Sequence, residues 1–253
     1  MPRLTIPAAT TRAQDEGGAL AHPAVGRDGL HSPVMDRDST LIERSLDESL
    51  GALQATRSNP AVIEATDRFA ELAAESVRRG GRLLVCGNGG SLSQATHFAE
   101  EWVGRFRNDR AALPAIALAE PATITCIAND FGFDQVFSRQ VEAHARPGDL
   151  FVALSTSGRS PNVIEAARAA RTAGIASVAL TGPNGDLLAN EVDVAIRIPT
   201  GRYADPVQEC HLAILHAVVK QVESVLFPTQ EDRAPLARSG ATKAAPGESW
   251  LER

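Results

Sequence analysis

The chain has 253 residues, enough for one sizeable α/β domain with a full core. Its formal charge of −6 and pI near 5.6 argue against an overall nucleic-acid-binding surface, so a site for an anionic ligand must supply its own local positive field. No apolar run reaches the roughly 18 residues of a membrane span, the N-terminus lacks a signal-peptide stretch, and Cys86, Cys126 and Cys210 form no CxxC pattern, so they read as reduced thiols of a cytoplasmic protein.

Residues 1–36 are rich in Ala, Gly, Pro, Arg and Asp without sustained periodicity and read as a disordered extension. Met35 stands just before the organised sequence, and a natural start there is expected, with the residues before it an artefact of start assignment. Intact mass of the native protein tests this. Ser39 or Thr40 is expected to cap a helix whose stripe is Leu41, Ile42, Leu46, Leu50 and Leu53. Asn59-Pro60 breaks it and opens a second helix with Val62, Ile63, Ala65, Phe69, Leu72 and Ala73 on its apolar side. The leucine seam of the first helix is expected to pack in part between subunits rather than only on its own sheet.

Leu83-Leu84-Val85-Cys86-Gly87-Asn88-Gly89-Gly90-Ser91 passes from a short apolar run through a glycine-rich turn into a helix. Glycines allow close backbone approach to a ligand, and the start of the helix offers unpaired N–H groups to an anion. Two turns into that helix, His97 and Glu101 stand at i and i+4 and so share a face, next to the anion-binding turn. The same spacing also suits an ordinary surface pair.

Four further apolar runs, Ala115–Leu118, Asp149–Ser155, Ala176–Thr181 and Val194–Ile198, read as strands of a parallel sheet buried on both faces. The fold class is therefore α/β, a three-layer α/β/α sandwich on a five-stranded parallel sheet, preceded by two helices. Active sites of such sheets lie outside the carboxyl ends of the strands. Ile127–Phe133 contains Asn129 and Asp130 and reads as a loop after the second strand, suited to a polyhydroxylated ligand or simply to a turn. Ser155, Thr156, Ser157 and Ser160 form a hydroxyl-rich loop ahead of a helix opened by Pro161, a phosphate cradle of which Ser160 alone is explained by N-capping. Asp205 and Pro206 are expected to cap and open the last long helix, which carries Gln208, His211 and His216. At about 100° per residue, the two histidines fall roughly 60° and 80° to opposite sides of Gln208, and spacing does not choose between them. Residues 228–253 are polar and poorly periodic and read as a disordered tail, leaving residues 37–227 as the domain.

Taken together, CGNGGS followed by HFAEE, then ANDFGF, STSGRSPNV and RYADPVQECHLAILH, the chain from about Asp38 to Phe227 resembles the sedoheptulose 7-phosphate (phosphoheptose) isomerases of the sugar-isomerase (SIS) domain superfamily. The resemblance implies a flavodoxin-like doubly wound fold and a homotetramer with sites between subunits. It implies conversion of sedoheptulose 7-phosphate to D-glycero-D-manno-heptose 7-phosphate, the opening step of nucleotide-activated heptose synthesis for bacterial surface glycans such as lipopolysaccharide. One zinc ion per subunit would be held by His97, Glu101, Gln208 and His216; the resemblance selects His216 over His211. Asn88, Gly89, Gly90, Ser91, Asn129, Asp130, Ser155, Thr156, Ser157, Ser160 and Gln208 would bind the sugar phosphate. Arg159 departs from the Asn that many relatives carry. Glu101 and His216 are the expected acid/base pair, moving a proton between C1 and C2 through an enediol. The alternatives are a protein-binding SIS module, such as those that bind a replication initiator, and an isomerase of another sugar phosphate. Retention of the His/Glu/Gln/His set favours an enzyme over the module.

Overall fold

The computed structural model describes residues 40–229; the expectations for residues 1–36, for Ser39 and for residues 230–253 lie outside them. Two helices come first, α1 (Leu41–Arg57) and α2 (Pro60–Arg78). As expected, Pro60 opens α2 at its first helical position, where its missing N–H costs nothing; Asn59 also caps it, its side chain accepting from the Ala61 N–H at 3.0 Å. Val62, Phe69, Ala70, Ala73 and Ala74 recur at helical spacing and are buried.

Five strands follow, β1 (Leu83–Gly87), β2 (Ala115–Ala117), β3 (Leu150–Ser155), β4 (Ala176–Thr181) and β5 (Val194–Arg197). They pair in parallel in the order β2-β1-β3-β4-β5. Every residue of β1 and β3 is buried, which is why these strands appear in the sequence as unbroken apolar runs. Alternation assigns the two faces. Leu83, Val85, Leu150, Val152, Leu154, Val178 and Leu180 share one core with α2, with α3 (Gly90–Val103) and with α8 (Ala204–Leu226). Leu84, Cys86, Phe151, Ala153 and Ala179 share the other with α4 (Pro121–Phe131), α5 (Ser138–His144), α6 (Pro161–Thr172) and Leu188 of α7 (Asp186–Ala189). The result is the expected three-layer sandwich. Among the described residues no helix is long and apolar enough to cross a membrane.

Two local expectations fail. Asn129 and Asp130 are not in a loop but in the last turn of α4. Glu120 caps that helix by accepting from the Ala122 and Thr123 N–H groups, Pro121 opens it, and Gly132 at φ 90° ends it. The Asn-Asp-Phe-Gly residues mark the end of a helix rather than a strand-to-helix turn. Nor does Asp205 cap α8: the helix begins at Ala204, with Tyr203 at the cap position and Asp205 inside the first turn, where its charge still suits the helix dipole. The stripe of α1, expected to pack in part between subunits, is little covered by its own chain. Leu41, Ile42, Leu46 and Leu50 are all more than half exposed on a single chain.

The strand order locates the site. The chain steps from β1 out to β2 and then crosses back to β3, so β1 and β3 are neighbours whose connections leave on opposite faces of the sheet. That switch point opens a crevice between the β1–α3 turn and the β3–α6 loop.

Candidate active site

The β1–α3 turn is shaped by its backbone. Gly89 adopts φ 52° as it caps α3, a conformation that side chains rarely tolerate. At Gly90, a Cβ would lie 2.7 Å from Nε2 and 2.9 Å from Oε1 of Gln208, so the missing side chain is what lets that amide lie against the turn. Gln94, one turn into α3, donates to the Gln208 carbonyl at 2.6 Å and ties the first turns of α3 and α8 together. Across the crevice, Asn88 and the buried Asn162 of α6 exchange two amide hydrogen bonds of 2.8 Å, which fix the β1 turn against the β3 loop.

In that loop Ser160 stands at the N-cap of α6, as expected, but its hydroxyl makes no capping bond and lies instead 3.3 Å from Ser155 Oγ. Ser155 Oγ also accepts from the Gly158 N–H, and Ser157 Oγ from the Arg159 N–H. The Thr156 carbonyl accepts from the Gly182 N–H, so the loop is held to the end of β4. Thr156, Ser157 and Arg159 line a cavity of about 340 Å³ with Arg202 and Tyr203 at the start of α8. Among the described residues this lining holds two guanidinium groups and no acid, which gives the local positive field that the chain's overall charge lacks.

Two turns along α3 lies the second half of the site. His97 Nε2 is 3.5 Å from Glu101 Oε1 on its own helix and 3.1 Å from Nε2 of His216 on α8. One donor atom from each of these three half-buried side chains lies within 4.8 Å of the others. Glu100 Oε2 is 3.2 Å from His97 Nδ1. Since an ionised carboxylate only accepts, Nδ1 is the donor of this bond and Nε2 is the ring nitrogen that faces the cluster. The ring of Phe106 covers His216 at a centroid distance of 5.6 Å. Burial first, and the facing His97 second, lower the pKa of His216, against an opposing pull from Glu101, so its imidazole is held neutral and able to ligate or accept a proton.

The structure places the two histidines of α8 in different surroundings. His216 joins His97 and Glu101. His211 is completely buried, and burial pushes its pKa to about 4, opposed weakly by the Thr181 backbone. The other sequence candidates divide. Asn88, Gly89 and Gly90 form the β1–α3 turn with the Gln208 amide on it, and Thr156, Ser157 and Ser160 belong to the β3–α6 loop, whereas Ser91 and Ser155 are buried beneath them. Asn129 and Asp130 are exposed and bond to one another at 2.7 Å; among the described residues they make no hydrogen bond to either crevice loop. Gln208 is eight residues before His216, about 12 Å of helical rise away, with its amide on Gly90. Asn162, Gln94, Glu100 and Phe106 were missed by sequence reasoning. Only Glu100 had a signal, its i+3 spacing from His97.

The SIS domain family model matches residues 48–182. The chain is similar to a phosphoheptose isomerase of Vibrio cholerae, 44% identical over 183 residues that span 72% of this chain and 96% of that protein. A phosphoheptose isomerase of Salmonella paratyphi B is 45% identical over 183 residues, 72% of this chain and 95% of that one. Among solved structures, a phosphoheptose isomerase from Neisseria gonorrhoeae is similar with a TM-score of 0.67 and 40% identity, covering 73% of this chain and 100% of its own. One from Francisella tularensis gives a TM-score of 0.67 at 32% identity, with 72% and 96% covered.

Proposed function

The chain belongs to the SIS domain family and, within it, to the phosphoheptose isomerases, and on that premise we propose that it interconverts sedoheptulose 7-phosphate and D-glycero-D-manno-heptose 7-phosphate. The observation that carries this reading is the convergence of His97, Glu101 and His216 beside a crevice lined with hydroxyls and backbone N–H groups. The reaction needs both halves: an anchor for a phosphate and, several ångströms away, groups that move a proton.

The phosphate is assigned to the β3–α6 loop. There Thr156, Ser157 and Ser160 supply hydroxyls, the start of α6 supplies N–H groups, and the guanidinium of Arg159 adds charge at the mouth. Asn88 and the Gly89–Gly90 backbone face the sugar chain, and Gln208 offers an amide to its hydroxyls. This orients C1 and C2 toward the far end of the crevice. Glu101, half-buried beside the two histidines, takes the proton from the carbon next to the carbonyl. Glu101 returns that proton to the adjoining carbon, while His216 carries the hydroxyl proton from the C1 oxygen to the C2 oxygen, and the roles reverse for the return reaction.

The donor set of two imidazoles and a carboxylate, one imidazole held neutral by burial, fits a borderline divalent cation. His97, Glu101 and His216 would hold zinc, with Gln208 as the fourth donor that the family resemblance implies. Zinc, when bound, would polarise the substrate carbonyl and stabilise negative charge developing on its oxygen. Because Glu101 and His216 serve both as ligands and in proton transfer in this reading, each must leave the metal or keep a second atom free when it moves a proton.

We assign the assembly as a homotetramer of a cytoplasmic enzyme with sites between subunits. The exposed Leu41, Ile42, Leu46 and Leu50 stripe of α1 supports an association of chains. Turnover of five-, six- and seven-carbon ketose phosphates tests the function. Preference for the seven-carbon substrate is expected, and faster turnover of a pentose or hexose phosphate would overturn the substrate assignment.

A further inference from the structure

We propose that Arg110 and Glu223 position the proton-transfer pair, clamping the end of α3 that carries Glu101 to the stretch of α8 that carries His216. The inference rests on the reading of His97, Glu101 and His216 as the reacting site.

Arg110 lies in the segment after α3 and is almost fully buried, with 1% of its side chain exposed; Glu223 is 7% exposed. The Arg110 Nε donates to Glu223 Oε1 at 2.8 Å. Its Nη2 donates to the Glu101 carbonyl at 2.7 Å, and its Nη1 is shared among the carbonyls of Trp102, Gly104 and Ala111 at 2.8, 3.0 and 3.2 Å. The last carbonyls of a helix have no N–H of a following turn to bond. Here one guanidinium takes that place, joined at the Trp102 carbonyl by the Leu113 N–H, and the carbonyl it holds most closely belongs to Glu101 itself. On α8, Glu223 stands seven residues after His216, about two turns on and within roughly 20° of the same face. One planar group therefore fixes the backbone under Glu101 and grips the helix stripe that presents His216.

Stability is a weak reason for such a pair, because apolar residues of similar size would serve the core as well. Its geometry offers a better one. A guanidinium has five donors in a fixed fork and can reach three α3-end carbonyls and a carboxylate at once, whereas an ammonium is a point charge that cannot. Groups that orient ligands without touching the reacting atoms commonly change metal affinity or activity by about 10- to 100-fold when removed.

The test uses full-length Arg110→Lys, Glu223→Gln and Glu223→Leu, each checked for fold by circular dichroism. Zinc affinity is measured by competition with a chromophoric chelator, kcat and KM on sedoheptulose 7-phosphate, and the His97 to His216 Nε2 separation in metal-free crystals. Arg110→Lys is expected to weaken zinc binding and lower kcat by about 10- to 100-fold while KM stays within about twofold. The separation is expected to widen from 3.1 Å by more than about 1 Å. Glu223→Gln keeps an acceptor for Arg110 Nε and is expected to retain most of the affinity that Glu223→Leu loses. Should Arg110→Lys fail to fold, the two Glu223 variants carry the same comparison. Folded variants whose only change is a lower melting temperature would overturn the proposal. If the wild-type protein neither binds zinc nor isomerises the substrate, the site reading fails, and the histidine separation in the variants still judges the clamp: widening supports it, and an unchanged distance overturns it.

Discussion

His97 and His216, from helices separated by more than a hundred residues, face each other through Nε2 atoms 3.1 Å apart. Glu100 accepts from His97 Nδ1, and burial lowers the pKa of His216, so two imidazole Nε2 atoms and the Glu101 carboxylate converge on one point. Such an arrangement suits a cation or a shared proton. Either use makes Glu101 and His216 the groups on which turnover depends. Glu101→Gln and His216→Gln are each expected to lower kcat at least about a hundredfold while leaving the assembly intact, as steady-state kinetics and analytical ultracentrifugation would report. Near-normal rates in both variants would refute the assignment.

Gly90 and Gln208 give a second test. The Cβ of Gly90→Ala would displace the Gln208 amide, which is the end of a flexible side chain, so the fold is expected to survive. A misplaced donor of this kind costs about 10- to 100-fold in kcat/KM. Comparison with Gln208→Ala separates the two roles given to that residue. A donor to zinc weakens metal affinity when removed, whereas a donor to the sugar raises KM alone. Unchanged kcat/KM in Gly90→Ala would show that the amide has no part in the reaction.

The paired amides of Asn88 and Asn162 predict a different pattern. Asn162→Ala leaves Asn88 without its partner in a half-buried position, which costs about 1–3 kcal/mol. It also frees the β1 turn from the β3 loop. A lower urea midpoint and a raised KM with little change in zinc affinity are expected, since the metal ligands lie on the other half of the site.

His211 sets an acid limit on stability. Its folded pKa of about 4 lies below the ordinary 6.5. Between these values the unfolded chain binds a proton that the folded chain does not, so stability falls as pH drops through this window and is unaffected above it. The full cost is about 3 kcal/mol below pH 4. Urea melts of metal-free protein from pH 7.5 to about 4 should show this slope, and His211→Leu, of similar volume, should flatten it. An unchanged slope in that variant would place the acid sensitivity elsewhere, with His216 the next group to test.

The strands were legible because both faces of the sheet are covered, which turns each into a continuous apolar run. The α4 helix was not, because Asn129, Asp130 and Gly132 read as turn residues while the Glu120-Pro121 start signal went unread. In the site, His97 and Glu101 showed themselves by spacing, whereas the choice of His216 over His211 came from resemblance alone. The physical reason appears only in three dimensions: α8 turns His211 into the core and His216 toward α3. Asn162 and Arg110 were illegible for the same reason, since their partners Asn88 and Glu223 lie 74 and 113 residues away.

The most direct measurement is isomerisation of sedoheptulose 7-phosphate by the purified protein before chelation, after chelation, and with zinc restored. The account predicts conversion to the aldose, loss of that activity on chelation, and recovery with zinc but not in Glu101→Gln or His216→Gln. Full activity in the chelated protein would contradict the metal role given to His97, Glu101 and His216, and absence of conversion under every condition would contradict the function itself.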